Sequence, residues 1–221
     1  MTNVIALPVN PALHNAIEDF LLAVAHDRDA GPAYVAYVDR LTERLLAIFM
    51  IEPAEITGLS GNARKLVDFA VSTAEKASSM LTRKIFGKRS NAEFAAIVSD
   101  LKAAYREGTG EQESLLVSEV PEQFANDFRR VADACIAGEG DSVRGEMSAV
   151  MDTLTDEILE AFFIRSTRHV KIGAVTRKAL DLGISGSRKA VHGVNHRVLK
   201  TMESERLKQF MRHYGNIVRE L

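Results

Sequence analysis

Basic side chains are concentrated near the carboxyl end of this sequence, at positions that could bring several of them to one phosphate-bearing surface. Seven of them lie between residues 177 and 200: Arg177, Lys178, Arg188, Lys189, His192, Arg197 and Lys200. No Asp or Glu occurs between Asp181 and Glu203. Such a block produces a positive potential that attracts phosphates, anionic lipid headgroups or an acidic protein surface. We therefore predict that these seven residues form the binding site for an anionic partner.

A short segment inside this block resembles the core of a helix-turn-helix. Ala179 stands four residues before Gly183, and the apolar Ile184 follows the glycine. In that motif the small residue lets two helices approach closely, and the second helix enters the major groove of DNA. The sequence departs from the pattern at Lys189 and His192, which stand where the motif has apolar residues. The resemblance implies that DNA is the first partner to consider.

Two histidines of the same block have the spacing of metal ligands on a helix. His192 and His196 are four residues apart and would share one helical face. The chain contains no His-Glu-x-x-His pattern, no Glu followed three residues later by His, and no second cysteine. Two ligands do not make a site, so we predict neither a metal nor a cofactor.

An acidic stripe lies upstream of the basic block. Asp152, Asp156 and Glu160 follow one another at four-residue steps, with Glu157 beside them. Four acids opposite an apolar stripe usually form a solvated helix face. The stripe could also receive the basic segment of its own chain, which would explain the uneven charge distribution described below.

The sequence contains no catalytic motif that we recognise. The segment Gly183–Ser187 comes close to a nucleophile elbow, but its last glycine is replaced and no predicted strand precedes it. The segment Gly138–Gly140 lacks the third glycine of a dinucleotide-binding loop, and no Gly-Lys-Ser or Gly-Lys-Thr phosphate loop is present. We therefore favour a non-enzymatic protein.

Helical periodicity recurs along nearly the whole chain, and alternation typical of strands is hard to find. The sequence predicts an all-α, multi-helix bundle of about eight to nine helices. Asp29 and Ser90 are expected to cap two of them. Three helices are expected near the carboxyl end: Lys171–Leu182, Ser187–Lys200 and Glu203–Arg219. The apolar face expected for a long central helix consists of Leu66, Phe69, Thr73, Ala77, Met80 and Leu81.

Charge divides the chain into two parts. Residues 1–164 contain 15 Lys and Arg against 26 Asp and Glu, a net charge of −11, while residues 165–221 contain 13 against 4, a net charge of +9. We predict an acidic helical bundle over 1–164 and a small basic helical module over 165–221, which could also form one continuous domain. The stretch Glu107–Ser114 has the composition of a linker.

Composition excludes several classes of protein. The chain has 221 residues, of which 46% are hydrophobic and 26% charged, proportions typical of a globular protein and not of a disordered one. Its single cysteine, Cys135, falls on the apolar face of a predicted helix, so we expect it to be buried. With no disulfide possible within the chain, no signal peptide and no apolar run of about 18 residues, we expect a cytoplasmic protein without a membrane span.

These observations lead to one functional hypothesis and two alternatives. We expect a cytoplasmic binding or regulatory protein that engages an anionic partner, DNA first, through its basic helices. The first alternative is a protein-interaction bundle whose basic module meets an acidic protein surface or its own acidic half. The second is a helical small-ligand protein or enzyme whose pocket cannot be seen in the sequence.

The last helix, which is basic and amphipathic, could lie on a membrane, dock into a partner or close its own bundle. A homo-oligomer is possible through the helix that carries Met147 and Met151.

Overall fold

The computed structural model describes residues 1–109 and 112–221, and 74% of these residues are helical. In this part of the chain we number eight helices: α1 (Pro11–Ala25), α2 (30–56), α3 (Gly61–Phe86), α4 (Asn91–Ala104), α5 (Glu122–Ile136), α6 (144–167), α7 (Ala174–Thr201) and α8 (Ser204–Gly215). Four strands accompany them: β1 (Asn3–Pro8), β2 (Tyr105–Arg106), β3 (Leu115–Glu119) and β4 (Val218–Glu220). The predicted all-α, multi-helix bundle is therefore confirmed.

Two of the helices contain a widened turn. Helix α2 consists of Ala30–Leu46, a π-helical stretch at Ala47–Ile51 and a final segment, Glu52–Ile56. Helix α6 likewise consists of Arg144–Leu159, a π-helical stretch at Glu160–Ile164 and a last turn, Arg165–Thr167. Both helices therefore hold one loosened turn within an otherwise regular α-helix.

Pro53 gives a physical reason for the widened turn in α2. A proline inside a helix has no N–H to donate, and its ring clashes with the carbonyl four residues earlier, which here belongs to Phe49. Two side chains of α8 contact carbonyls of this widened turn, including the one four residues before Pro53. The Tyr214 hydroxyl donates to Phe49 O at 2.9 Å, and His213 Nε2 lies 2.8 Å from Ile48 O.

A small antiparallel sheet closes one end of the bundle. Its strand order is β2-β3-β1-β4, so the amino-terminal strand lies in the middle and the carboxyl-terminal strand at one edge. The four residues from Val4 to Leu7 are all buried. Periodicity could not reveal this strand, because a short apolar run that is buried on both faces shows no alternation.

One hydrophobic core includes residues from both of the segments that charge distinguishes. Ile5, Leu41 and Phe128 from residues 1–164 belong to it together with Leu180 and Leu207 from residues 165–221. Hydrogen bonds between β1 and β4 also join the two segments. The boundary at 164/165 stays a prediction.

No helix within residues 1–109 and 112–221 is long and apolar enough to cross a membrane.

Several local predictions are confirmed. Asp29 caps α2 by accepting a hydrogen bond from Gly31 N, and Ser90 forms a capping box with Glu93. Cys135 is fully buried. The apolar side of the last helix is buried as well, so α8 closes its own bundle; the buried residues are Leu207, Phe210, Met211 and Tyr214.

Other local predictions are wrong. The last helix ends at Gly215 instead of Arg219, because the chain then forms β4 beside β1. On α3 the expected core face is partly exposed, with Phe69 at 72% and Met80 at 65% of their full accessibility. Helix α3 instead turns a neighbouring face with small residues inward, including Ala70, and this face allows close packing against α2 and α7.

The predicted linker is a connection between two strands. Glu107–Ser114 joins β2 to β3, which pair in an antiparallel hairpin. Gly110 and Glu111 of this stretch lie outside the described residues.

Candidate functional site

The predicted site residues lie on one helix. Helix α7 contains 28 residues and is continuous from Ala174 to Thr201. The two helices expected over Lys171–Leu182 and Ser187–Lys200 are therefore wrong, and the resemblance to a helix-turn-helix fails with them, because no turn interrupts the chain at Gly183. That glycine serves packing instead: a Cβ at this position would lie 2.8 Å from Leu81 Cδ1 of α3. Because residue 183 is a glycine, α3 and α7 can approach closely at this point. Gly183 therefore lies inside one continuous helix, whereas the sequence predicted a turn between two helices there.

The side of α7 that faces α6 is neutralised by the acidic stripe of α6. Arg188 Nε donates to Asp156 Oδ1 at 2.5 Å. His192 lies between two carboxylates, with Nδ1 at 3.8 Å from Asp152 Oδ2 and Nε2 at 3.6 Å from Asp156 Oδ1. The sequence left open whether the acidic stripe is solvated or receives the basic segment. In the structure Asp152 and Asp156 receive it, and two of the seven predicted site residues are therefore engaged within the chain.

His196 extends this network to a serine. Its Nε2 lies 2.9 Å from Asp152 Oδ2, and its Nδ1 lies 3.0 Å from Ser148 Oγ. The Ser, His and Asp types are those of a nucleophilic triad, but Ser148 is buried inside α6. The N–H groups around it belong to helical hydrogen bonds, so none is free to stabilise an oxyanion. The network therefore connects two helices and lacks the surroundings that acyl transfer requires.

The same cluster does not form a metal centre. Within residues 1–109 and 112–221 no group of three or more His, Cys, Asp or Glu side chains is arranged to hold a metal ion. The contacts of 3.6 and 3.8 Å at His192 are too long for hydrogen bonds, and Asp152 Oδ1 and His192 Nε2 are buried with no hydrogen-bond partner in the described chain. The hydrogen bonds of Arg188 with Asp156 and of His196 with Asp152 and Ser148 join α6 to α7 in this cluster.

Other cations of α7 are exposed to solvent. Five predicted site residues are among them, and we call them the outer cations: Arg177, Lys178, Lys189, Arg197 and Lys200. None of the five forms an ion pair with another residue of the described chain. The only acid on α7 is Asp181. The outer cations therefore form a positive surface that the rest of the described chain does not neutralise.

Three of the outer cations lie on one line along the helix. Lys178, Lys189 and Lys200 are spaced by eleven residues, which is just over three turns of an α-helix. Successive lysines on this line are about 16 Å apart, and the outermost two are about 33 Å apart along the axis. The three lysines therefore form an evenly spaced row of positive charges along one continuous helix.

A cavity lies beneath the same helix. It has a volume of about 160 Å³, is lined by α2, α3, α6 and α7, with Tyr214 of α8 at one side, and is partly open to solvent. Its wall is mostly aliphatic and aromatic and contains no Asp, Glu, Lys, Arg or His. Both π-helical stretches contribute to it, through Phe49 and Met50 of α2 and through Phe162 and Phe163 of α6.

Most hydroxyl groups in the cavity wall already donate to the backbone. Thr42 donates to Val38 O, and Thr155 donates to Met151 O. Burial raises the pKa of Tyr34 and of Tyr214 well above the ordinary value for a tyrosine, so both phenols stay neutral. The cavity is therefore apolar in its chemistry although several of its residues are polar in type.

The sequence did not identify this cavity, and only a weak signal was available. Thr and Ser residues interrupt the apolar faces of facing helices at Thr42, Ser78, Thr155 and Ser187. Such interruptions also occur in fully packed bundles, because a threonine or serine can donate to its own helix. The void itself depends on how four helices pack, which periodicity does not determine.

Comparison of the chain with protein-family models, with curated proteins and with solved structures finds no match. The function is therefore inferred from two features of α7: its exposed cations and the cavity beneath it.

Proposed function

We propose that this protein binds an anionic macromolecule, double-stranded DNA first, through contacts between the outer cations of α7 and backbone phosphates. The observation that carries the proposal is the line formed by Lys178, Lys189 and Lys200. Its length of about 33 Å is close to the roughly 34 Å of one turn of B-DNA, so both ends of the line could meet equivalent phosphates.

The proposal concerns phosphate contacts and not base recognition. Arg188 and His192, two of the seven predicted site residues, contact Asp152 and Asp156 of α6. A continuous α7 supplies no separate second helix for the major groove. Lysine ammonium groups suit this mode, because they act as point charges toward phosphate and carry no sequence information.

Binding of this kind has a characteristic strength and salt dependence. Each phosphate that a cation neutralises releases counterions and contributes about −0.9 to the slope of log K against log salt concentration. Five outer cations therefore set an upper limit of about −4.5 for that slope. We expect a dissociation constant of about 10⁻⁴ to 10⁻⁶ M near physiological salt and little preference among sequences.

The test is fluorescence anisotropy of a labelled random duplex of about three helical turns, titrated with protein from low to physiological salt. We compare the wild-type protein with the triple variant Lys178→Ala, Lys189→Ala, Lys200→Ala. The matched control is Lys65→Ala, Lys88→Ala, Lys102→Ala, which removes three exposed lysines from other elements and changes net charge equally. The α7 variant should lose about 2.7 from the slope, and the control should retain most of it.

Two results would contradict the proposal. One is the absence of binding by the wild-type protein at low salt. The other is an equal loss in both triple variants, because this would show a response to net charge instead of to the line of lysines on α7. Unchanged far-ultraviolet circular dichroism establishes beforehand that both variants are folded.

A further inference from the structure

We infer that the cavity between α2, α3, α6 and α7 is a binding site for a small, uncharged, apolar molecule. Six residues of α7 form part of its wall, on the side of the helix opposite the line of Lys178, Lys189 and Lys200. The inference is independent of DNA binding, since it rests on the inner face of α7.

The volume of the cavity limits the size of its ligand. An apolar cavity of about 150 Å³ in another protein stays dry and binds benzene or xenon. The cavity here has about 160 Å³. It therefore suits one six-membered ring with a small substituent, or an aliphatic chain of similar volume, and it is too small for a sterol or a long acyl chain.

The wall of the cavity excludes charged ligands. Transfer of an ionised group into an apolar environment is very unfavourable unless an opposite charge or several hydrogen bonds compensate. The wall offers no ionisable side chain except Tyr34 and Tyr214, which remain neutral. A carboxylate or an ammonium group would find no counter-charge, so the ligand must be neutral.

Two polar side chains on α7 are available to form a hydrogen bond with one polar atom of the ligand. Ser187 and Asn195 line the cavity, and neither side chain forms a hydrogen bond with another group of the described chain. The hydroxyls of Thr42 and Thr155 are already used within their own helices. A ligand hydroxyl or carbonyl would therefore find a partner at Ser187 or Asn195, whereas the rest of the wall offers mainly dispersion contacts.

The two π-helical stretches give independent support. Short π-helical insertions are uncommon and occur frequently at functional sites. Here one insertion from α2 and one from α6 both contribute residues to the same wall, including Phe49 and Phe162. Each adds an extra residue to a turn and so changes which side chains face the void.

The experiment uses three probes of similar size with the full chain: toluene, 1-hexanol and hexanoate. Binding is measured by isothermal titration calorimetry and by the shift in the melting temperature. Toluene and 1-hexanol should bind saturably and raise the melting temperature, because a ligand that binds only the folded state stabilises it. Hexanoate, which has the same chain length as 1-hexanol but a charge, should not bind at neutral pH.

A filled cavity provides the matched variant. Ala77→Leu adds three carbon atoms to a residue of the wall, while Ala96→Leu makes the same change at an exposed position on α4. We expect Ala77→Leu to weaken toluene binding at least about tenfold and Ala96→Leu to leave it unchanged. Equal binding by both variants, or no binding of either neutral probe to the wild-type protein, would overturn the inference.

A measurement on the unmodified protein covers the case in which Ala77→Leu does not fold. Met50 and Met151 line the cavity, whereas Met80 is exposed on α3 and Met211 is buried elsewhere in the core. With methyl-labelled methionine, saturation with toluene should shift the signals of Met50 and Met151 and not those of Met80 and Met211. Shifts at Met80 alone, or no methyl shifts, would place the probe outside the cavity and overturn the inference.

Discussion

Arg188 of α7 and Asp156 of α6 form an ion pair, with Arg188 Nε 2.5 Å from Asp156 Oδ1. The two residues come from the basic and the acidic segments of the chain. The pair, together with that of Arg168 and Glu160, therefore explains part of the charge division: some of the positive charge of residues 165–221 meets negative charge of residues 1–164 inside one molecule. The outer cations are among the positive charges that no ion pair of the described residues neutralises.

The Arg188–Asp156 pair should contribute little to stability. Its side chains are 40% and 45% exposed, and pairs of this kind contribute about 0.2–1 kcal/mol because water screens them. We expect Arg188→Gln and Asp156→Asn each to lower the free energy of unfolding by no more than about 1 kcal/mol. Urea denaturation of the two single variants and the double variant measures the coupling energy, and a coupling above 2 kcal/mol would contradict this account.

Tyr214 should contribute more to the free energy of unfolding than an ordinary tyrosine. Its hydroxyl donates to the carbonyl of Phe49, to which Pro53 has no N–H to donate. Removal of the hydroxyl in Tyr214→Phe leaves the buried carbonyl of Phe49 without a donor, and we expect a cost of about 1–3 kcal/mol in urea denaturation. In a Pro53→Ala background the restored N–H of residue 53 can serve that carbonyl, so the same substitution should cost much less. An equal cost in both backgrounds would show that the role of Tyr214 is unrelated to Pro53.

The glycines of α7 offer a test of its continuity. Nothing lies within 4 Å of a Cβ placed on Gly186 or Gly193, so alanine fits at both positions. We expect Gly186→Ala and Gly193→Ala each to raise the free energy of unfolding by about 0.5–1 kcal/mol, since alanine favours a helix over glycine by about that amount. At Gly183 the gain should be smaller, because Leu81 must move. A loss of stability in Gly186→Ala would indicate a turn at that position.

Cys135 should be unreactive in the folded protein. It is fully buried beside Met147, and burial raises the pKa of its thiol, although the nearby charge of Arg144 opposes this. A raised pKa means that the reactive thiolate is scarce at neutral pH. Reaction with 5,5′-dithiobis(2-nitrobenzoic acid) should therefore be slow in buffer and rapid in urea. Rapid reaction in buffer, at the rate of the unfolded chain, would contradict the buried position.

Local signals in the sequence predicted those features that depend on neighbouring residues. The cap at Asp29, the capping box at Ser90 and the burial of Cys135 all follow from spacing within one helix. The apolar side of α8 was predicted for the same reason, although not the point where that helix ends.

Features that depend on packing between distant elements could not be predicted. Gly183 indicated a turn, yet the close approach of Leu81 makes the same residue a packing position within a helix. The face of α3 that turns inward depends on the packing of α2 and α7, so the exposed position of Phe69 was missed. The predicted site residues do lie on a helical segment, but this segment is one helix where two were expected, and the contact of Arg188 with Asp156 depends on how α6 and α7 pack.

Two neighbouring residues of α7 test the central claim most directly. Lys189 is exposed and has no ion pair in the described chain, while Arg188 is held by Asp156. The measurement is the slope of log K against log salt concentration for a random DNA duplex, in Lys189→Ala and in Arg188→Ala. We predict that Lys189→Ala makes the slope less steep by about 0.9 and that Arg188→Ala changes it by much less, although both remove one positive charge. Equal slopes in the two variants, or a larger effect of Arg188→Ala, would contradict the assignment of phosphate binding to the outer cations.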